Sequence, residues 1–326
     1  MGLRADWSGA ARAPRVAAAI DIGSNSTHLV VSVVGSDGQF ATLADESTFA
    51  SLGDLVARDG RFGEVQRGTL LDTLSDYVAE ARRLGAGAIT IVGTEPVRMA
   101  TDRAELADAI VTATDVPLEV LTHEDEAYLM VVGVQAGRRV TGELLVVDIG
   151  GGSTEFCLVG PTRIPYAVGL KLGSSVLTAR HATSDPPKRD DVEAMIRDAA
   201  AALATAPDFG PTTTIVAVGG TVSNLVKLVP AALRDRRLTR ASIADARVLL
   251  EAMTAEAAVT RYLFKPARAR LLPAGAAVVE ALLDRYGADG IDVSDAGLRE
   301  GVILAVAQAG ETWRAHLPEL AKGWRD

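Results

Sequence analysis

Three acidic side chains stand where their carboxylates can hold a metal ion. Asp21 and Asp148 each end an apolar run and begin a loop of small residues, and Glu155 follows Asp148 by seven residues on the returning run. Across a β-hairpin, the carboxylates of Asp148 and Glu155 can converge. Because Mg²⁺ prefers hard oxygen ligands, we predict a Mg²⁺ site at Asp148 and Glu155, with Asp21 as a further candidate ligand and Mn²⁺ as the alternative ion. The structural alternative is that Asp21 and Asp148 accept hydrogen bonds from their own turns.

Three loops rich in glycine and small polar residues leave backbone N–H groups open to an anion. Two of them follow Asp21 and Asp148, and the third follows an apolar run that ends at Val218. A tight turn alone would explain any one of these loops, but three copies favour phosphate binding. Neither the P-loop pattern nor the dinucleotide-binding G-x-G-x-x-G pattern accounts for them. The predicted phosphate-binding residues of the loops are Gly23, Ser24, Asn25, Ser26, Gly150, Gly151, Gly152, Ser153, Gly219, Gly220 and Thr221.

A predicted helix that begins near His123 carries three consecutive acids. Thr122 and Asp125 have the spacing of a capping box, so Asp125 has a structural explanation. Glu126 points about 100° away from Asp125 around the helix, toward the expected cleft. A carboxylate there can take a proton from an attacking water. Arg98, which follows another strand, is a candidate donor to phosphate oxygens, and a solvated surface arginine is its alternative.

The stretch that begins at His123 comes close to the H-E-x-x-H zinc pattern. Ala127 stands where the second histidine is required, one helical turn after His123. The other three histidines are scattered along the chain. The sequence therefore argues against zinc-centred catalysis.

Composition and charge narrow the class of protein. The chain has 326 residues, of which 48% are hydrophobic, enough apolar material for two ordinary domains. The formal charge of −9 disfavours sequence-specific nucleic-acid binding, because a protein that neutralises duplex phosphates normally carries a basic face. No apolar run reaches the roughly 18 residues of a membrane span. A single cysteine cannot form an internal disulfide, which favours the cytoplasm.

The spacing of apolar residues predicts a β-hairpin followed by alternating helices and strands. The hairpin repeats later in the chain, since residues 21–27 and 148–154 share five identical residues and both lie between apolar runs. This repeat predicts two related α/β domains, each with a mixed sheet, facing each other across a cleft. Other strands are predicted at 88–92, 118–121, 166–172, 215–218 and 291–293, and helices at 64–84, 102–113, 123–136, 174–180 and 190–206.

The predicted organisation is a leader followed by two domains. We expect a disordered leader at residues 1–14, a first domain at 15–135 and a second domain at 136–304. The boundary is predicted near residues 130–142, where glycines and arginines loosen the chain. The last helix, at about 305–326, is expected to pack back on the first domain.

The motifs resemble those of the exopolyphosphatase / guanosine pentaphosphate phosphohydrolase (Ppx/GppA) family, within the superfamily of sugar kinases, Hsp70 and actin. The stretches that carry the resemblance come in family order at residues 19–26, 93–98, 124–127, 147–155, 218–221 and 297–301. The resemblance implies two ribonuclease-H-like domains that flank a central cleft. It also implies Mg²⁺-dependent release of terminal phosphate from inorganic polyphosphate or guanosine pentaphosphate.

Roles for individual residues follow from the same resemblance. Glu126 matches the family's general base, and Arg98 matches its phosphate-contacting arginine. Asp148 and Glu155 match its metal-associated acids, while Gly150 and Ser153 belong to its phosphate loop. The expected partners are inorganic polyphosphate or guanosine penta- or tetraphosphate, and we expect a cytoplasmic homodimer that binds neither sequence-specific nucleic acid nor membrane.

Several positions depart from the family pattern, and these leave the substrate open. They are Thr122-His123 and Asp125 before Glu126, the segment around Val176, and Arg270. Two other functions remain as alternatives. One is an ATP-dependent kinase or ATPase of the same superfamily, and the other is a regulator that binds polyphosphate or guanosine tetraphosphate without catalysis.

Overall fold

The computed structural model describes residues 15–35, 39–136, 141–208 and 214–323. The predicted leader at residues 1–14, and residues 137–140 of the predicted boundary, lie outside the described residues. Within the described ranges the chain forms two mixed β-sheets with helices packed on them, which confirms the predicted α/β class. In this part of the chain no helix combines the length and the apolar character needed to cross a bilayer.

The first sheet has the strand order β3-β2-β1-β4-β5. Strands β1 and β2 form the predicted hairpin, β3 adds antiparallel to β2, and β4 and β5 continue the sheet in parallel from β1. In the hairpin register, Asp21 pairs with His28. The five strands are β1 (Arg15–Ile22), β2 (Ser26–Val34), β3 (Phe40–Phe49), β4 (Ala88–Gly93) and β5 (Leu118–Val120).

The second sheet repeats this topology in the order β8-β7-β6-β9-β11, with β10 added at its edge. Strands β6 and β7 form the second hairpin, in which Asp148 pairs with Glu155. The shared strand order is what the predicted internal repeat requires. The strands are β6 (Leu144–Ile149), β7 (Thr154–Gly160), β8 (Arg163–Leu170), β9 (Thr214–Val218), β10 (Arg237–Thr239) and β11 (Gly290–Val293).

The five helices predicted between residues 64 and 206 are present within a few residues of their predicted ends. The helices are α1 (Leu52–Asp59), α2 (Glu64–Arg83), α3 (Glu95–Met99), α4 (Arg103–Thr114), α5 (His123–Gln135), α6 (Ser174–His181), α7 (Arg189–Leu203), α8 (Gly220–Leu225), α9 (Pro230–Asp235), α10 (Arg240–Ala252), α11 (Ala255–Tyr262), α12 (Pro266–Ala269), α13 (Leu272–Arg285), α14 (Leu298–Ala309) and α15 (Leu317–Leu320). Two 3₁₀ helices, Val226–Leu228 and Gly310–His316, complete the set in the described ranges.

The sequence predicts α2 from an apolar stripe that includes Val65, Leu74, Val78 and Ala81. The last three of these residues are buried, as predicted. Val65, which the prediction placed on that stripe, is 75% exposed. It stands five residues before the buried Leu70, which is about 140° around the helix. The first turn of α2 therefore precedes the part of the helix that packs on the core.

Helices α5 and α14 pack against each other and against both sheets. Their buried residues share one core cluster with side chains of β1 and of β6, including Ala19, Leu129, Val146 and Ile303. The chain after α14 stays on this face, where Trp313 is buried in the same cluster. The 3₁₀ helix Gly310–His316 and α15 thus stand where a single last helix was expected. The division of the chain at residue 135 stays a prediction.

The backbones of helices α5 and α14 are in direct contact where the two helices cross. A Cβ atom at Gly301 would overlap the carbonyl oxygen of Leu129, and one at Gly133 would overlap that of Gly297. Backbone atoms cannot move aside as a flexible side chain can. Glycine is therefore required at both positions for the helices to lie this close.

We expect Gly301→Ala to destabilise the protein by about 3 kcal/mol or more, because the added methyl group forces the two helices apart in a packed core. Urea-induced unfolding would measure the change. The matched control is Gly68→Ala on the exposed face of α2, where nothing lies within 4 Å of the added atom. That variant should gain up to about 1 kcal/mol from helix propensity. Equal stability of the two variants would contradict the close helix contact.

Candidate active site

A cavity of about 370 Å³ opens between the two sheets, at the ends of the hairpins. It collects residues from β1, β6, β9 and the loops after them, together with the first turns of α5 and α14. Every loop residue predicted to bind phosphate lines this cavity, and so do Asp21, Glu126, Asp148 and Glu155. Residues far apart in the sequence therefore meet in one cleft, as the sequence analysis expected.

The two hairpin turns have the same hydrogen bond. Gly23 N–H donates to the carbonyl oxygen of Ser26 over 3.1 Å, and Gly150 N–H donates to that of Ser153 over 3.0 Å. A Cβ atom at Gly150 would stand 2.9 Å from the Ser153 oxygen. Small residues thus allow each turn to close tightly, with its edge facing the cavity.

The turns of the two halves also touch each other. A Cβ atom at Gly151 would stand 2.5 Å from the side-chain nitrogen of Asn25, so the amide lies directly against this turn. The Ser175 hydroxyl donates to Asn25 Oδ1 over 2.7 Å. Because the Asn25 side chain of the first half contacts two residues of the second half, the glycine-rich turns form one continuous surface.

Asp148 lies in the floor of the cavity beside Gly219. The backbone of Gly219 has a φ of +93°, and a Cβ atom there would overlap Asp148 Oδ1. Glycine is needed at 219 both for this left-handed backbone and for the room it leaves to the carboxylate. Asp148 and Glu155 are paired across the hairpin, in the register that their spacing predicts.

The acidic groups of the floor are held away from water and close to one another. Burial raises the pKa of Asp21 to about 6, although Arg299 opposes the shift. Burial, Glu155 and Asp21 raise the pKa of Asp148 well above its usual value. Asp21 Oδ1 is also buried without a hydrogen-bond partner. When these carboxylates are ionised, the positive charges of the protein do not balance their negative charge. The cluster therefore favours a bound cation.

Glu126 lies in the first turn of α5, which begins with a complete capping box. Asp125 N–H donates to Thr122 Oγ1 over 3.1 Å, and Thr122 N–H donates to Asp125 Oδ2 over 2.9 Å. The structural explanation for Asp125 is thereby confirmed, while Glu126 has its side chain in the cavity and is 6% exposed. Burial and the charge of Glu155 raise its pKa well above the usual value, and Arg98 opposes this shift.

Arg98 lies behind Glu126, and no part of it lines the cavity. Its guanidinium donates to Glu126 Oε1, to Glu95 Oε2 over 2.8 Å and to the carbonyl oxygen of Leu121 over 2.7 Å. The structure therefore places it as a partner of the candidate base. Its predicted role as a phosphate contact stays a prediction.

Two arginines that the sequence analysis did not select as site residues, Arg268 and Arg299, also line the cavity. Arg299 donates to Asp45 Oδ1 over 3.1 Å and lies 3.3 Å from His28 Nδ1, while Arg268 donates to Ser26 Oγ over 3.4 Å. Burial and the nearby charges lower the pKa of His28 to about 2, so its neutral ring accepts from Arg299. Burial and Arg299 also lower the pKa of Arg268. These two guanidinium groups therefore supply positive charge that attracts an anion into the cleft.

The sequence contained partial signals for both arginines. Arg299 belongs to the stretch 297–301 that carried the family resemblance, and Arg268 belongs to a basic cluster that also reads as an exposed helix face. A Cβ atom at Gly220 would overlap the Arg268 guanidinium, so the third glycine-rich loop is what holds this side chain in the cleft. That contact joins residues 48 positions apart, and spacing alone does not indicate it.

Fold and site together define the class of protein. Two sheets of the same topology, each with a glycine-rich hairpin turned toward a shared cleft that holds carboxylates and arginines, form the actin-like, ribonuclease-H-like fold. A model of the Ppx/GppA phosphatase family matches residues 19–309. The chain belongs to the Ppx/GppA phosphatase family, as the sequence motifs implied.

Known proteins support this assignment at the level of sequence and structure. Exopolyphosphatase 2 of Mycobacterium tuberculosis is 30% identical over 314 residues, which cover 89% of this chain and 98% of that protein. Exopolyphosphatase 1 of the same organism is 28% identical over 87% of this chain and 86% of its own length. The structure of the Aquifex aeolicus Ppx/GppA family member has a TM-score of 0.78 at 26% identity, covering 92% of this chain and 99% of that one.

Proposed function

We propose that this protein is a Mg²⁺-dependent hydrolase that releases terminal phosphate from inorganic polyphosphate. The observation that carries the proposal is that Glu126, three further carboxylates, the arginines Arg268 and Arg299, and all three glycine-rich loops line one cleft. Relatives named exopolyphosphatase support polyphosphate as the substrate. A homodimer and a cytoplasmic location stay predictions.

The carboxylates of the floor fit Mg²⁺. Asp148 and Glu155 face each other across the hairpin, and Asp21 contributes a buried oxygen without a partner. All of these donors are hard oxygens, and the substrate's own phosphate oxygens would complete such a set. When bound, the ion neutralises charge on the phosphate oxygens.

Glu126 is placed to act as the general base. Its side chain faces the cavity from α5, while Arg98 fixes the carboxylate from behind. The raised pKa brings the carboxylate closer to the range in which a base is effective at neutral pH. Glu126 thereby holds and accepts the proton of an attacking water, and the loop N–H groups and Arg299 hold the phosphates.

Inorganic phosphate release, measured side by side on short polyphosphate, long polyphosphate and guanosine pentaphosphate, would test the proposal. We expect Mg²⁺-dependent release from polyphosphate that stops with EDTA. Transfer of phosphate to an acceptor other than water would favour the kinase alternative instead. Tight binding of polyphosphate without release under any divalent ion would favour a regulator.

We expect Arg268→Gln to raise KM for polyphosphate by about 10-fold or more, the size of one lost charged hydrogen bond. The effect on kcat should be smaller, because Arg268 donates to Ser26 Oγ, whereas the arginine paired with Glu126 is Arg98. Steady-state kinetics would measure both constants. The matched control is Arg270→Gln, since Arg270 is exposed two residues further on and does not line the cavity. Equal KM values in the two variants would contradict anion binding by Arg268.

A further inference from the structure

His123 stands beside two of the buried glutamates of the cleft. Its Nδ1 lies 2.9 Å from Glu155 Oε1, and one ligand atom from each of His123, Glu126 and Glu155 lies within 4.8 Å of the others. Glu126 and Glu155 are buried, whereas the His123 side chain is 33% exposed. The cluster can therefore be reached from solvent through the imidazole.

The imidazole is held in this place by the neighbouring strand. A Cβ atom at Gly169 would stand 2.5 Å from both Cγ and Nδ1 of His123, so the ring lies directly on the glycine backbone. Gly169 is the register partner of Glu155 on β8. The strand pairing that fixes Glu155 thus also positions the ring next to it.

Nδ1 of His123 lies beside one hydrogen-bond donor and one acceptor, and it cannot form a hydrogen bond with both. Arg98 Nη2 lies 3.1 Å from Nδ1, on which it can donate only if Nδ1 carries no hydrogen. Glu155 Oε1, at 2.9 Å, can only accept, and so it needs a hydrogen on Nδ1. Either tautomer therefore leaves one unfavourable contact. A cation bound by both Nδ1 and Glu155 Oε1 removes the repulsion between these two atoms, and Arg98 Nη2 keeps Glu95 Oε2 as its acceptor over 2.8 Å.

The far side of the ring favours the tautomer that a metal requires. His123 Nε2 faces Glu95 Oε2 at 3.6 Å, and this negative charge favours a hydrogen on Nε2. Metal-bound histidines commonly have a carboxylate on the nitrogen that does not bind the ion. In this tautomer Nδ1 has a lone pair that either accepts from Arg98 or binds a metal ion.

We propose that His123, Glu126 and Glu155 bind a divalent transition-metal ion of the Zn²⁺ type. One imidazole nitrogen and two carboxylate oxygens suit such an ion better than Mg²⁺, which prefers oxygen alone. Ligand atoms on a tetrahedral zinc ion stand about 3.4 Å apart, and the three ligand atoms here all lie within 4.8 Å of one another. The H-E-x-x-H pattern does not identify this site, because the third ligand, Glu155, lies on strand β7 and not on the helix that carries His123 and Glu126.

The site overlaps the proposed Mg²⁺ ligands through Glu155 and the proposed base through Glu126. A Zn²⁺ ion there displaces Mg²⁺ from Glu155 and occupies the lone pair with which Glu126 would accept a proton. We expect Zn²⁺ to inhibit the enzyme, a consequence that rests on the proposed function. The binding of Zn²⁺ itself does not depend on it.

Titration calorimetry of the metal-free protein with ZnCl₂ would test the binding. We expect one Zn²⁺ per chain, and an affinity about 100-fold lower in His123→Gln and His123→Ala, because each loses a ligand that supplies binding free energy. The control is His316→Gln, an exposed histidine outside the cleft, which should bind like the wild type. Thermal unfolding would confirm that the variants fold. Equal Zn²⁺ affinity in wild type and both His123 variants, or no binding at micromolar protein, would overturn the proposal.

Phosphate release at fixed Mg²⁺ and rising Zn²⁺ would test the position of the ion. Within each variant, the Zn²⁺ concentration that halves the rate should rise by the same factor as the dissociation constant. Binding that leaves the wild-type rate unchanged would overturn the involvement of Glu126. A protein that releases no phosphate at all would contradict the proposed function, and calorimetry would still decide whether Zn²⁺ binds.

Discussion

Replacement of Glu126 by glutamine should lower the rate of phosphate release from polyphosphate by about 100- to 10,000-fold, the range attributed to a general base. The amide keeps the size of the side chain and can still contact Arg98, but it cannot accept a proton from water. Polyphosphate binding should change by only a few-fold, since Arg268, Arg299 and the loop N–H groups are left in place. The loss should therefore fall on kcat.

Steady-state kinetics and equilibrium binding of a fixed-length polyphosphate would separate the two effects. The matched control is Glu124→Gln, two residues earlier on the same helix, where the carboxylate accepts from the Tyr128 hydroxyl over 2.9 Å and does not line the cavity. That variant should keep most of its activity. Near-wild-type release by Glu126→Gln would mean that another group takes the proton.

The sequence predicted the parts of the site that depend on local structure. Asp148 and Glu155 face each other because the hairpin register follows from two apolar runs and a short turn, and both can be read from the sequence. The repeat then predicted a second loop at residues 23–26 and the strand order of a related sheet. Local pattern and duplication therefore gave the floor of the cleft and the fold class.

The parts that were missed depend on contacts between distant elements. Strand β3 carries polar residues on both faces at the edge of the first sheet, so no apolar run marks it, and only its pairing with β2 shows it to be a strand. Arg98 was predicted only as a phosphate contact, and Arg268 was not among the predicted site residues. The position of the Arg98 guanidinium depends on Glu126, and that of the Arg268 guanidinium depends on Gly220. Neither contact can be inferred from the spacing of residues in the sequence.

Replacement of Asp148 by asparagine should remove the effect of Mg²⁺ on both activity and stability. An amide oxygen is a weaker ligand than a carboxylate, so we expect Mg²⁺-dependent phosphate release to fall by about 100-fold or more because the ion is lost from the cleft. Wild-type protein at a Mg²⁺ concentration 100 times Kd should gain about 2.7 kcal/mol of stability from the bound ion. The variant should gain much less.

In EDTA, where no Mg²⁺ is bound, Asp148→Asn should stabilise the folded protein, and the size of this stabilisation should depend on pH. The raised pKa of Asp148 means that the folded state binds its proton more tightly than the unfolded state does, so the metal-free wild type loses stability as pH rises above about 4. Asparagine has no proton to lose. Metal-free Asp148→Asn should therefore melt at a higher temperature than wild type at pH 8, and the gain should shrink as pH falls toward 5.

Differential scanning calorimetry with and without Mg²⁺ would measure both effects, with Asp72→Asn on the exposed face of α2 as the control. A variant that is still stabilised by Mg²⁺ like the wild type would show that the ion binds without Asp148.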